Sequence, residues 1–233
     1  MKKINTEHWK KYGFEFLSIF IAVISAFALN NWSENRRDKN SENKILIEIS
    51  HGLEKDIEDI KLNIIGHKDG ILACNYFRKA LGSKKIKSDS LMIHYLNLTR
   101  DFISIQNVAG YETLKSKGLE LIKNDSLRLQ IISIYEYDYN TLRKLEEEYA
   151  EMQFHENYYK EINEALAPNF TFDSNQQITG IQVPLKIQDN KKKEILLYLW
   201  KIQVNRVFIL QYYSEIEGKI NQLREKINME IKF

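Results

Sequence analysis

Apolar residues recur along this chain at steps of three and four. Leu46, Ile49, Leu53, Ile57, Ile60 and Ile64 make one such row, and Phe77 and Leu81 extend it to Gly82. A second runs through Ile131, Ile134, Asp138, Leu142, Leu145, Tyr149, Met152, Glu156, Tyr159, Ile162 and Leu166, and stops before Pro168. The third, Leu199, Ile202, Arg206, Ile209, Tyr213, Ile216, Ile220, Leu223 and Ile227, alternates three and four without a slip. Such rows are single faces of helices, and a seven-residue repeat marks long helices packed side by side. The pattern predicts long helices at about 34–82, 125–167 and 190–231, with short ones at about 89–101 and 109–117. Gly66 and Gly70 lie inside the first and make a bend there an expectation. Pro168, Gly180 and Pro184 mark a long connection in which QITGIQVPLKI could pair as a small hairpin.

One stretch breaks the periodicity. Residues 16–33 hold no charge and, at about 1.5 Å per residue, span roughly 27 Å, the thickness of a bilayer core. Tyr12, Phe14 and Trp32 stand at its ends, as interfacial aromatics do, with Lys2, Lys3, Lys10 and Lys11 on one side and Arg36, Arg37, Lys39 and Lys44 on the other. The basic flanks balance, so they do not set orientation. The short tail 1–12 before the apolar segment has the layout of an uncleaved signal anchor, which puts the N-terminus inside and residues 34–233 across the membrane. Two alternatives stay open. Ala26-Phe27-Ala28 fits a signal-peptidase site, although Glu7 and Glu15 are unusual before it, and a buried helix of a soluble domain has similar composition. Within the segment Ser18, Ala22 and Ala26 form a small-residue row that lets another membrane helix approach.

Composition narrows the function classes. Thirty-four basic against 32 acidic residues leave a net charge of +2, which supplies no polyanion-binding surface and argues against nucleic acid as a partner. The single cysteine, Cys74, excludes an intrachain disulfide and sits in an apolar row as a small core residue. Glu48 and His51 supply one Glu-x-x-His pair, where a di-iron bundle needs two, so no metal site is assigned. Phosphate loops, dinucleotide fingerprints and nucleophile elbows are missing, and no catalytic residue or cofactor is assigned.

Polar residues inside the apolar rows are the remaining candidates. With the two C-terminal long helices antiparallel, Arg206 falls near Glu147 and Glu151, a candidate ion pair fixing register. Tyr111 and Leu114 share one face of a short helix that Gly118 can end, and Asn124 or Asp125 caps the next. That corner has only Lys123 and Arg128 as nearby cations, too few for a DNA-reading helix.

Two of these segments carry a resemblance. Gly13, Glu15, the apolar run, Leu29, Asn30, Asn31, Trp32, Glu34 and Arg36 resemble the opening of a family of small bacterial membrane proteins of unknown function. Tyr111, Leu114, Ser116, Gly118, Leu121, Ile122, Asp125, Leu127, Arg128 and Tyr135 look like that family's second motif. Phe14 separates Gly13 from Glu15, which the family has adjacent, and Ser33 stands in place of an Asn. The resemblance implies a single-pass protein that keeps its first helix, and it implies no activity.

The sequence therefore predicts an all-α protein. A transmembrane helix at 13–33 continues into an elongated antiparallel helical bundle on the outer face of a bacterial inner membrane. The expected role is a scaffold or interaction module rather than an enzyme. The lipid bilayer is its first partner, with a homo-oligomer or a membrane protein partner open. The alternative is a sensory or carrier domain holding a small apolar molecule between its helices.

Overall fold

The computed structural model describes residues 6–231; residues 1–5 of the expected N-terminal tail lie outside the described residues. The secondary structure is about 81% helix against 3% strand, so the chain is all-α. Helix α1 runs Thr6–Leu81 without interruption, 76 residues or about 114 Å. Its first part is bare. The most apolar 18-residue window has a mean hydropathy of 2.0, none of it is buried, and the helix is long and apolar enough there to cross a membrane. From Glu42 onward the same helix is a core element, burying Leu46, Ile49, Leu53 and Ile60 completely or nearly so.

Helix α7, Asp189–Glu230, packs along that second part. The two run antiparallel, since Glu54 pairs with Arg224 at 3.2 Å and Lys61 with Glu217 at 3.9 Å, and Arg78 donates to the Leu199 carbonyl at 3.0 Å. Every position of the third apolar row is buried, Arg206 included. Each fully buried Leu or Ile contributes roughly 1.5–3 kcal/mol, which makes this row the main source of α7's docking energy. Helix α7 starts at Asp189, and Gln188, in extended conformation, is its first flanking residue and makes no side-chain cap bond.

Against α1 lie α2, Leu91–Leu98, and α3, Ala109–Lys117, joined by a strap at 99–108 that is neither helix nor strand. Gly118, at φ +98, ends α3. Then come α4, Asp125–Ile132, and α5, Tyr139–Arg143, with π turns at Ser133–Asp138 and Lys144–Glu148. A break at 149–153 precedes α6, Phe154–Leu166. Strands β1, Phe170–Phe172, and β2, Ile178–Ile181, form a small antiparallel hairpin that pairs Phe170 with Ile181.

Two departures from a simple helical reading have local causes. Each π turn inserts one residue into the helical repeat and rotates the later residues by about 100°. Of the expected row, Ile131, Ile134, Asp138, Leu142, Met152, Ile162 and Leu166 are buried, Tyr135, Tyr139, Glu146, Phe154 and Tyr158 join them, and Tyr149, Glu156 and Tyr159 face outward. The hairpin uses Phe170–Phe172 as its first strand, so QITGIQVPLKI supplies one strand and not both.

Candidate functional site

The strap at 99–108 makes no backbone ladder, so its polar groups need partners from elsewhere. Three carboxylates supply acceptors. From α1, Asp56 takes the Asn107 N–H at 2.7 Å and Asp59 takes the Ile105 N–H at 2.9 Å. From the second π turn, Glu146 takes the Ser104 N–H at 3.1 Å and the Ser104 hydroxyl at 3.0 Å. The hydroxyls of Tyr139 and Tyr213 complete this set, donating to Asp56 and Glu146 respectively.

The start of the strap presents carbonyls, and one arginine meets them. Arg206, on α7 and fully buried, donates from Nη2 to the carbonyls of Asn97, Leu98 and Arg100 at 3.2, 3.2 and 2.8 Å. Its Nη1 lies 3.1 Å from His67 Nδ1. An arginine can only donate, so His67 accepts and carries its ring proton on Nε2. The guanidinium also stacks 4.5 Å from the Phe154 ring centroid, the geometry of a cation–π contact. Burial pulls the Arg206 pKa down to about 10, which leaves it charged at neutrality. Burial, and then the nearby Arg206 charge, hold His67 down to about 3, so the imidazole is neutral.

Burial also raises Glu146 to about 7, against the hydrogen bonds from Tyr213 and Ser104 that favour its charged form. Asp56 and Asp101 are raised for the same first reason. Asp101, at the foot of the strap, accepts the Phe154 N–H at 2.8 Å and so covers an open donor at the start of α6.

What this arrangement does chemically is hold the irregular segment 99–108 against three helical elements through hydrogen bonds. The Ser104 hydroxyl does lie beside the Glu146 carboxylate, but both are buried. Among the described residues, no group of three or more His, Cys, Asp and Glu side chains is placed to hold a metal ion. The outer side of the strap shows Ile103 and Ile105 to solvent.

The residues singled out from sequence fall in several places. Arg206 is brought to the strap, and among the described residues no ion pair joins it to Glu147 or Glu151; Glu151 lies 3.6 Å from Lys201 instead. Tyr111 and Leu114 are buried, the Tyr111 ring stacking on Tyr135 with centroids 4.6 Å apart. Arg128 bridges the corner after Gly118, pairing with Asp125 at 2.8 Å and donating to the Ile122 carbonyl at 2.8 Å. Asn124 accepts the Leu127 N–H at 3.2 Å as the cap of α4. Ser18, Ala22 and Ala26 lie on the bare part of α1. Sequence reasoning missed Asp56, Asp59, His67, Ser104 and Glu146. A faint signal existed in acidic residues placed among apolar ones on α1, but a helix alone does not reveal that a strap needs them.

No protein family, curated protein or solved structure matches the chain.

Proposed function

We propose that this protein is a single-pass membrane protein whose bare apolar helix crosses the bilayer and whose helical bundle, on the outer face of a bacterial inner membrane, serves as a scaffold or interaction module. One observation carries the reading: a single unbroken helix is both the bare apolar segment and a central core element of the folded body. Anchor and body then share one rigid element, so the membrane fixes the height and direction of every surface on the bundle. The buried Asp56, Glu146 and Arg206 are engaged in holding the strap, which favours a structural role for them over catalysis. The basic flanks leave orientation open, and the outward one is the orientation proposed for test.

Paired C-terminal fusions test this, one to a reporter active only outside the cytoplasm and one to a protein fluorescent only inside, with fusion size read on the same gel. Outside activity at full length is the expected result. Outside activity with a loss of about 3 kDa means cleavage after Ala28 and a free domain. Fluorescence on membranes reverses the orientation.

A further inference from the structure

The outer side of the α1–α7 pair is a seam of apolar side chains that nothing in the fold covers. Ile65 and Leu72 on α1, and Trp200, Val204 and Val207 on α7, are each 44–57% exposed. Two depressions lie in line along this seam, of about 500 Å³ beside Arg78 and Trp200 and about 480 Å³ between Lys61, Lys68 and Glu217. The steps from Ile65 to Leu72 and from Trp200 through Val204 to Val207 are those of packed helices, so the seam repeats on the outside the pattern that builds the core.

We infer that a second copy of this chain docks on the α1–α7 seam, side by side in one membrane about a two-fold axis parallel to the helices. The inference rests on the membrane reading proposed above, which holds two copies of α1 at the same height and pointing the same way. Because α1 and α7 are antiparallel neighbours, such an axis sets α1 of one copy against α7 of the other, residue for residue at equal height. Lys61 then faces the second copy's Glu217, and Leu72 faces its Val207. The Lys61 charge therefore meets an opposite charge, and Leu72 meets an apolar side chain. Within one copy the Lys61–Glu217 pair is loose, at 3.9 Å with the lysine side chain 61% exposed, and leaves both groups able to reach across. The bilayer itself cannot cover the seam: Ile65 stands about 50 Å beyond Trp32 along the helix.

The test is cross-linking between two differently tagged full-length copies expressed together, both carrying Cys74→Ala, one Leu72→Cys and the other Val207→Cys. Membranes are treated with a short bis-maleimide, and a sample is washed with alkaline carbonate. A product carrying both tags is expected, while a control pair with Leu129→Cys in both copies, on the far side of the body, gives none. Adding Val207→Asp to the copy with Leu72→Cys, and Leu72→Asp to the copy with Val207→Cys, should cut the product at least about tenfold, because each aspartate would be buried in the contact. Unchanged thermal unfolding of those copies shows that folding is intact. A chain that resists the wash yet yields no Leu72–Val207 product, or equal product at Leu129, overturns the pairing and leaves the anchor standing. A chain stripped by the wash overturns the anchor and the equal-height argument with it.

Discussion

Gly70 and Arg206 occupy one space: a Cβ on Gly70 would lie 2.4 Å from Cζ and Nε of the Arg206 side chain. The glycine is what allows a guanidinium to lie flat between α1 and the strap. Helix propensity alone says Gly70→Ala should stabilise α1 by about 1 kcal/mol. Overpacking against an arginine that is itself fixed by three carbonyls costs roughly 1–3 kcal/mol and has the opposite sign. We expect net destabilisation, read as a lower urea midpoint. A raised midpoint would show that Arg206 does not lie against Gly70.

The stability of the molecule should carry two opposing pH slopes. Glu146 rises from 4.5 unfolded to about 7 folded, so the folded state holds its proton more tightly. That contribution, about 3 kcal/mol, is full below 4.5 and is lost as pH climbs through 7. His67 falls from 6.5 to about 3. Its contribution, about 5 kcal/mol, is present above 6.5 and is lost as pH falls through 3. Between pH 4.5 and 6.5 the two oppose. In Glu146→Gln the denaturant midpoint should therefore climb across that window, and in His67→Gln it should drop. A Glu146→Gln curve that stays as flat as the parent would count against the buried carboxylate.

Tyr213→Phe separates the hydrogen bond from the packing. The ring stays to fill the core, but Glu146 loses its phenolic donor. A hydrogen bond to a charged group is worth roughly 1.5–3 kcal/mol, so stability at pH 8 should drop by about that much. The loss should shrink at pH 5, where Glu146 is protonated in both proteins. Carboxyl NMR of Glu146 should show its titration moved upward from the parent value. An equal loss at both pH values would mean that the hydroxyl does not serve the carboxylate.

The helical class, the bare segment and the α7 row were legible because each is a local periodicity repeated many times. The strap site was not, and the reason is geometric. Asp56, Asp59, Glu146 and Arg206 come from three elements, and their partners are mostly backbone groups of 97–107, which carry no side-chain signature. Glu146 was hidden further by the π turns, since an unbroken helical repeat puts Leu145 inward in its place. Gly66 and Gly70 suggest a bend in the sequence, and α1 is helical through both. Gly66 makes room for Phe102, whose ring a Cβ would meet at 2.2 Å, and Gly70 makes room for Arg206. A glycine that weakens a helix and one that admits a neighbour look alike in sequence.

The division of α1 into a bare half and a core half makes a last prediction. None of residues 12–41 is buried, and the Lys39–Glu42 pair at 2.9 Å is the first ion pair among the described residues of the helix. Glu42 also accepts the Lys123 N–H at 3.0 Å and so ties the near end of the body together. A chain lacking residues 1–37 keeps both contacts and all of the apolar core. It should be soluble, should keep the helical circular dichroism of the body, and should unfold within a few degrees of the full chain in detergent, since a surface change is usually worth less than about 0.5 kcal/mol. Removing residues 1–46 instead takes away Glu42, Ile45 and Leu46, and should lower the midpoint strongly, because Leu46 alone is fully buried and its loss costs roughly 2–5 kcal/mol. Equal behaviour of the two truncations would place the start of the folded body beyond Leu46; aggregation of the first would place it before Asp38.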